Sequence, residues 1–248
     1  MNEPHFRAPS LELRGLTLRY EGQPLFEGLD LSVQAGRFTA LLGASGVGKT
    51  SLLRIAAGLA VPDAGTVQAG DGLPLAGRVA WMGQQDLLYP WARALENVTI
   101  GNRLRGERAD KPRALALLAA VGLAGRERAL PKELSGGMRQ RVALARTLYE
   151  NRPVVLMDEP FSALDAITRA TMQALAAKLL AGRTALLITH DPSEACRLGH
   201  SLYVMAGHPA RLGPEISVPG TPPRAPDDEA LLHKQGELMR ALLEGQVA

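Results

Sequence analysis

The sequence predicts an α/β fold in which a parallel sheet is joined to an N-terminal antiparallel β subdomain and to an inserted α-helical subdomain. The first observation is the alternation of apolar and polar residues over 11–42, which favours half-buried strands. The second is the interval of about 86–150, which is rich in alanine, leucine and arginine and lacks strand signals. The third is the order strand, helix, strand over 153–189, which indicates a right-handed parallel crossover.

The N-terminal segments LELRGLTLRY and LFEGLDLSVQAGRFTALLG indicate several short strands. Their turns are predicted at Glu21-Gly22 and Ala35-Gly36, because glycine tolerates the backbone angles of tight turns. The run FTALL at 38–42 has the short apolar character of a buried strand, and it ends at Gly43. The antiparallel subdomain is therefore expected to lead directly into a glycine-rich loop.

After the helical interval come two apolar strands, PVVLMD (153–158) and TALLIT (184–189). A segment rich in proline and glycine at 213–227 precedes the last helix, which carries leucines 231, 238 and 242 on one face. Apolar residues recur with helical spacing over 49–59, 111–123, 136–150, 166–181 and 228–244.

Length and composition predict a single domain, 1–248, whose helical subdomain is about 86–150 and whose C-terminal segment is 213–248. Hydrophobic residues make up 46% of the chain and charged residues 21%, which is typical of a globular protein. The net charge of +3 is too small to predict a nucleic-acid partner. With Cys196 as the one cysteine of the sequence, an internal disulfide is excluded.

No transmembrane span is expected. The most apolar run, ALALLAAVGLAG at 114–125, is shorter than the roughly 18 residues that a membrane-spanning helix needs. The N-terminal residues MNEPHFRAPS lack the basic and apolar regions of a signal peptide. A role at a membrane would therefore require docking through a partner protein.

Residues 43–50, GASGVGKT, fit the phosphate-loop pattern G-x-x-x-x-G-K-[ST]. The glycines let backbone N–H groups turn towards phosphates, and the start of the following helix favours anions. Lys49 would neutralise the β- and γ-phosphates, and the Thr50 hydroxyl would bind Mg²⁺. Because the motif lies between a buried strand and a helix, it predicts a P-loop NTPase core rather than a chance glycine-rich turn.

Two acids follow the strand in VVLMDEP, where a buried carboxylate needs a cation or a chemical task. Asp158 would hold Mg²⁺ through water, and Glu159 would act as general base on the attacking water. The alternative is an ordinary strand-to-turn boundary, where acids are common.

Polar residues at two other strand ends are further catalytic candidates. His190 ends the next apolar strand, and adjacent strand ends of a parallel sheet meet at one crevice, which would bring it towards the γ-phosphate. The alternative for His190 is a hydrogen-bonded loop residue. Either Gln84 or Gln85 would supply an amide oxygen to the metal and to the water.

The motifs GASGVGKT, LSGGMRQR (134–141), VVLMDEP, SALD (162–165) and ITHD (188–191) occur in this order. Over about residues 11–208 the set resembles the ATP-binding cassette (ABC) ATPases, with ATP and Mg²⁺ as ligands. The 23-residue step from Ser135 to Asp158 is typical of that family.

The resemblance implies that two copies pack head to tail, so that the LSGG signature loop of one closes over ATP held by the other. Ser135 would donate its hydroxyl to the γ-phosphate, while Gly136 and Gly137 would let the backbone approach at a helix N-terminus. LSGG contains no lysine because the partner supplies it. The P-loop residues expected to contact ATP are Gly43, Ala44, Ser45, Gly46, Val47, Gly48, Lys49, Thr50 and Ser51.

Three more roles follow from the resemblance alone. Tyr20 matches the aromatic residue that stacks on adenine, with strand-edge packing as the alternative. Asp165 matches the aspartate that crosses the dimer interface. Gln84, rather than Gln85, matches the glutamine that reaches the metal and the water, because Pro90 lies six positions after it.

The sequence departs from the family pattern at two positions. Met138 stands where the signature usually has glutamine, and Gly83 stands where an aromatic residue often precedes the glutamine. Neither change removes a phosphate ligand, so the predicted chemistry is unaffected.

The function predicted from the resemblance is ATP hydrolysis by the energising subunit of a bacterial importer. Expected partners are a second copy, integral-membrane permease subunits and, indirectly, a solute-binding protein, with the chain peripheral to the cytoplasmic face of the membrane. QDLLYPWARALENVTIG and THDPSEACRLGHSLYVM look most like the nitrate, sulfonate and taurine group, which includes importers of pyrimidine thiamine precursors. The alternative is a soluble ABC ATPase of DNA repair or translation, but those usually carry long insertions or two cassettes. The transported solute is not predicted.

Overall fold

The computed structural model of the protein describes residues 8–247, with side chains for residues 8–244. The described residues divide into two compact units. The first unit comprises the residues up to Val79, Arg152–Asp158, and the residues from Ala181 onward. The second unit comprises Ala80–Asn151 and Glu159–Leu180.

The strands are β1 (Leu11–Tyr20), β2 (Gln23–Val33), β3 (Phe38–Gly43), β4 (Ala64–Ala69), β5 (Val79–Met82), β6 (Val154–Asp158), β7 (Thr184–Ile188), β8 (Ser201–Ala206), β9 (Arg211–Leu212) and β10 (Ile216–Ser217). The helices are α1 (Lys49–Ala56), α2 (Ala94–Leu104), α3 (Lys111–Ala120), α4 (Gly136–Tyr149), α5 (Ala166–Leu179), α6 (Pro192–Leu198) and α7 (Glu229–Val247).

The first unit contains an antiparallel sheet with the strand order β2-β1-β4. The predicted strands over 11–42 are present as β1, β2 and β3, with turns at Glu21-Gly22 and Ala35-Gly36 between them, but β1 and β2, with 10 and 11 residues, are longer than expected. Irregularities in their register, together with left-handed Gly15 and Gly28, let each strand continue through its glycine instead of ending there. The predicted turn at Glu21-Gly22 does join the two strands.

The main sheet of the first unit has the order β10-β8-β3-β7-β6, with β9 paired to β8. β3, β7 and β6 are parallel and every one of their residues is buried, which explains why their sequences are apolar runs rather than alternating ones. The predicted parallel crossover is therefore present, and β3 and β6 deliver the P-loop and Asp158 at their carboxyl ends.

The C-terminal segment is built onto the first unit. Leu231 and Leu238 of α7 are buried, as their shared face predicted. Within the segment rich in proline and glycine, Arg224 is buried and donates hydrogen bonds to the backbone carbonyls of Cys196, Gly199 and Val218. One guanidinium thereby joins this segment to the end of α6 and also bonds the segment's own backbone at Val218.

The second unit is largely helical and contains α2, α3, α4 and α5. Val98, Leu118 and Leu144, one from each of the first three helices, are among its fully buried apolar residues. Over residues 8–247, no helix is both long enough and apolar enough to cross a membrane.

Candidate nucleotide-binding site

The P-loop of the first unit follows β3 and leads into α1. Gly43–Val47 border a cavity of about 620 Å³, together with Val204–His208 and with Leu242 of α7. The cavity size is within the range of small-molecule sites. Leu242, the third leucine of the predicted α7 face, therefore lines this cavity.

Two glycines of the loop are required by the packing of the chain itself. Gly43 has a φ of 152°, and a Cβ atom there would overlap the carbonyl oxygen of Met205. Gly48 has a φ of 110°, and its Cβ would lie 3.1 Å from the side chain of Leu25. Position 43 has no room for a side chain, and at position 48 the backbone conformation would strain one, so both positions favour glycine.

The Lys49 side chain is buried beneath the loop. Its Nζ donates hydrogen bonds to the carbonyl oxygens of Gly43 and Ala44, each at 2.8 Å. These bonds hold the ammonium group inside the loop, where it offsets the partial negative charge of the carbonyls. The cation is thus positioned at the centre of the predicted phosphate site.

Thr50 and Asp158 meet at the carboxyl end of the main sheet. The Thr50 hydroxyl donates a hydrogen bond of 2.7 Å to Oδ2 of Asp158, whose side chain is buried. A hydroxyl and a carboxylate oxygen are the hard ligands that Mg²⁺ prefers. The residues present therefore fit the predicted metal.

Tyr20 ends β1, where it is 72% exposed, so strand-edge packing does not account for its position. It pairs with Gln23 across a two-residue turn in which both Glu21 and Gly22 have positive φ. A Cβ at Gly48 of the P-loop would lie 3.1 Å from the side chain of Leu25 in β2, so the hairpin that carries Tyr20 lies close to the P-loop.

His190 follows β7 and is exposed, and β7 lies between β3 and β6 in the sheet. It therefore ends on the same edge of the first unit as the P-loop and Asp158.

In the second unit, Gln84 and Glu159 are brought together although they are 75 residues apart. Nε2 of Gln84 donates to Oε2 of Glu159 at 3.3 Å. Glu159 has a φ of 47°, a conformation that costs a non-glycine residue on the order of 1–3 kcal/mol and is common at functional sites. The two predicted catalytic side chains of this unit are thus neighbours, and Glu159 is held in a strained conformation.

The signature loop lies at the start of α4. Ser135 is the N-cap of this helix, and its Oγ accepts a hydrogen bond from the backbone N–H of Met138. Gly136 is exposed, and its Cβ would have as its nearest neighbour a side-chain nitrogen of Arg139 at 3.9 Å. Gly137 has less room, because its Cβ would lie 3.2 Å from the Ala163 carbonyl oxygen.

Asp165 is exposed and caps α5, where Oδ1 accepts a hydrogen bond from the backbone N–H of Thr168. The hydrogen bonds from Thr168 hold the pKa of Asp165 below its usual value. The residue therefore has a structural task in its own chain, in addition to the interface role predicted from the sequence.

The Trp81 side chain lies next to Gly83, one of the two departures from the family pattern. A Cβ at Gly83 would lie 2.6 Å from the edge of the Trp81 indole ring. A side chain at position 83 would therefore require the Trp81 ring to move. The structure offers no comparable explanation for Met138.

The sequence prediction missed Gln140. This residue is buried on α4, and its Nε2 donates to the carbonyl oxygens of Glu159 and Pro160 at 3.3 and 3.1 Å. A signal was present, because Gln140 lies at helical spacing with the buried Ala143, Leu144 and Thr147. A polar side chain on an apolar helix face needs a hydrogen-bonding partner.

The family model "ABC transporter" matches residues 26–162. The chain belongs to the ABC transporter family. It has a P-loop NTPase fold, and it is an ATP-binding and ATP-hydrolysing import subunit, as the sequence predicted. The alternative of a soluble ABC ATPase of repair or translation is not favoured.

Named ABC relatives agree over nearly the whole length. The aliphatic sulfonates import ATP-binding protein SsuB 1 of Rhodococcus jostii is 44% identical over 96% of this chain and 95% of its own. The corresponding SsuB protein of Rhodopseudomonas palustris CGA009 is 40% identical over 98% of this chain and 87% of its own. A dimeric ABC cassette in a post-hydrolysis state, bound to ADP and Pi, superposes with a TM-score of 0.76 at 30% identity, over 85% of this chain and 99% of its own.

Proposed function

We propose that two copies of this chain pack head to tail and hydrolyse ATP at two sites, each made from the P-loop of one copy and the signature loop of the other. The observation that carries this proposal is the contrast between the two loops. The P-loop has a buried lysine and a Thr50–Asp158 pair beneath it, whereas Ser135 and Gly136 of the signature are exposed. An exposed helix N-terminus capped by a hydroxyl is suited to an anion that another molecule brings.

In each site the P-loop backbone and Lys49 bind the β- and γ-phosphates, and Tyr20 stacks on the adenine. Glu159 accepts a proton from water as the water oxygen attacks the γ-phosphorus and the bond to ADP breaks. Gln84 orients that water through its remaining amide oxygen, and His190 contacts the γ-phosphate. Ser135 of the partner copy donates its hydroxyl to the same phosphate, which is compatible with its accepting the Met138 N–H.

Thr50, Asp158 and Gln84 are the residues that would hold Mg²⁺. When bound, the ion neutralises charge on the β- and γ-phosphates and so favours phosphoryl transfer. The Thr50–Asp158 hydrogen bond sets the spacing of two of these oxygen ligands before the metal arrives.

The partners proposed are a homodimeric second copy, the integral-membrane permease and, through the permease, a solute-binding protein. The location is the cytoplasmic face of the cell membrane. A docking surface is available around Trp91, which is 73% exposed and packs edge-on against Tyr89 at 5.3 Å. At this exposure Trp91 is not part of the core of the helical subdomain, and exposed tryptophans are common interface anchors.

We further propose aliphatic sulfonates as the class of solute, on the strength of the SsuB relatives named above. A strain that lacks this chain should fail to grow when an aliphatic sulfonate is its one sulfur source, and should grow on sulfate. Normal growth on the sulfonate would contradict the solute class without affecting the proposed ATPase mechanism.

The catalytic role of Glu159 is tested by Glu159→Gln. The amide cannot accept the proton, so ATP turnover should fall about 10²–10⁴-fold while ATP binding is retained. The variant should also accumulate as an ATP-bound dimer in size exclusion. Glu107→Gln, which changes an exposed glutamate paired with Arg105, is the matched control and should hydrolyse ATP normally. Wild-type turnover by Glu159→Gln would refute the proposed mechanism.

The docking surface is tested by Trp91→Ala. Reconstituted transport should be lost while the isolated chain keeps its ATPase activity and its melting temperature, because the side chain is exposed. Transport at the normal rate per ATP would contradict the assignment.

A further inference from the structure

The backbone of Glu159, the base of the proposed reaction, is hydrogen-bonded by helix α4, which carries the signature loop. Gln140, in the second turn of α4, donates from one amide nitrogen to the carbonyl oxygens of Glu159 and Pro160. Both neighbours of that nitrogen are acceptors, so the orientation of the amide is fixed by its surroundings. The side chain is 4% exposed, and water therefore cannot readily replace it.

These hydrogen bonds act on a strained part of the backbone. Glu159 has a left-handed φ of 47°, and such a conformation persists only where the surroundings impose it. The Glu159 carbonyl also accepts hydrogen bonds from the backbone N–H and the hydroxyl of Ser162, which lies in the following turn. Gln140 adds a restraint from a different element, and it also bonds Pro160.

The same helix also holds the segment that carries Gln84. Nε of Arg139 donates to Oδ2 of Asp86 at 2.9 Å, and Nη2 of Arg146 donates to the Asp86 carbonyl oxygen at 2.7 Å. Helix α4 therefore makes hydrogen bonds both to the segment near Gln84 and to the backbone at Glu159. The hydrogen bond between Gln84 and Glu159 closes this arrangement.

We propose that Gln140 is a positioning residue that sets the backbone of Glu159, and that through it α4 connects the base of a chain's own site to the signature loop that the chain presents to the other site. This proposal rests on the proposed function of Glu159 as general base. Helix α4 therefore contacts the backbone of Glu159 in one site and presents the signature loop to the other.

The first test replaces Gln140 with methionine, which keeps the unbranched shape but cannot donate a hydrogen bond. Because a catalytic group displaced by about 1 Å costs as much as 100-fold in rate, kcat should fall about 10- to 100-fold, with KM for ATP within about twofold of wild type. The variant should accumulate as an ATP-bound dimer in size exclusion, as expected for Glu159→Gln. A merely destabilised protein would lose the dimer instead of accumulating it.

Thr147→Val is the matched control. Thr147 is buried on the same helix two turns later, and its hydroxyl donates to the Ala143 carbonyl within α4. Its loss should leave kcat unchanged. A wild-type kcat for Gln140→Met, in a protein for which Glu159→Gln is inactive, would overturn the role of Gln140 and leave the proposed function standing. Normal turnover by Glu159→Gln would instead refute the proposed function.

The second test decides whether Gln140 acts on its own chain's base or on the signature loop. Gln140→Met chains are mixed in turn with Ser135→Arg chains and with Glu159→Gln chains. If Gln140 positions Glu159, the heterodimer with Ser135→Arg has both lesions in one site and an intact second site, so activity should rise. In the heterodimer with Glu159→Gln each site has a defective base, so activity should stay low.

The opposite pattern, with recovery only in the mixture that contains Glu159→Gln, would mean that Gln140 acts through the signature loop and would overturn the proposal. The reference mixture is Lys49→Ala with Ser135→Arg. Recovery in the reference mixture, without recovery in either Gln140 mixture, would also overturn the proposal. Failure of the reference mixture would count against the head-to-tail arrangement, while the kcat measurement on Gln140→Met would still decide the positioning role.

Discussion

The two glycine-containing loops of this protein are built on different principles. In the P-loop, Gly43 and Gly48 have positive φ, a Cβ at Gly43 would overlap the backbone, and Lys49 donates hydrogen bonds to the loop's own carbonyls. In the signature loop, Gly136 is exposed, and a Cβ there would meet its nearest neighbour at 3.9 Å. The glycines of the first loop are explained by their own chain. Among the described residues, no close contact requires a glycine at position 136.

The largest effect is expected for Gly43→Ala, which tests whether the P-loop depends on the packing of its own chain. The left-handed backbone alone costs on the order of 1–3 kcal/mol, and the overlap of the new methyl group with the Met205 carbonyl adds to that. We expect a large loss in the free energy of unfolding, measured by chemical denaturation. A stable Gly43→Ala protein would show that the P-loop is not fixed by its own packing.

Lys49→Ala should weaken ATP binding rather than folding. Charge-assisted hydrogen bonds contribute about 1.5–3 kcal/mol each, so the dissociation constant should rise roughly 10- to 100-fold. Titration with ATP measures this directly, and a melting curve checks that the fold persists. An unchanged dissociation constant would refute the assignment of the P-loop.

Gly136→Ala is the matching test on the signature loop, where we expect a loss of activity without a loss of stability. Alanine favours helix over glycine by roughly 0.5–1 kcal/mol, and the site has room for its methyl group, so stability should be unchanged or slightly higher. ATP turnover should nevertheless fall about tenfold or more, because the partner's phosphates must approach this backbone. Normal turnover in Gly136→Ala would remove the reason for a glycine there.

Ser135 separates the capping role of the signature loop from its ligand role. Asparagine and aspartate both cap helices well, so Ser135→Asn and Ser135→Asp should melt like the wild type. The aspartate adds a negative charge next to the partner's γ-phosphate and should reduce turnover far more than asparagine does. Equal activity of the two variants would place Ser135 away from any phosphate.

The smallest effect is expected at Asp165. Hydrogen bonds from Thr168 lower the pKa of this carboxyl, so its contribution to stability is present above the pKa of the unfolded state and is lost as pH falls through the folded-state pKa. Asp165→Ala should therefore melt at a lower temperature than wild type at neutral pH, and this difference should shrink in acid. A constant difference across that range would exclude the capping bond as its cause.

The difference between the loops also explains what the sequence could predict. The P-loop, Asp158 and Glu159 form short contiguous motifs next to apolar strands, so their positions follow from local pattern. Gln140 was missed because its partners lie 19 and 20 residues away on another segment. Strand β4 was missed because its sequence, AGTVQA, is mostly exposed and lacks the alternation of a half-buried strand. β1 and β2 are longer than expected because each continues through an irregularity at Gly15 or Gly28. Glycines also form turns, so the sequence alone does not show which of the two a glycine makes.

The central claim is that the two loops of one chain serve different ATP sites. The most direct measurement is ATP hydrolysis by 1:1 mixtures of purified Lys49→Ala and Ser135→Arg chains, with the permease present to hold the pairs together. Each homodimer should be nearly inactive. Each heterodimer should have one site with both lesions and one intact site, so the mixture should recover part of the wild-type rate. If heterodimers form and no activity returns, the signature loop does not act on the partner's ATP as an independent site, and the account is contradicted.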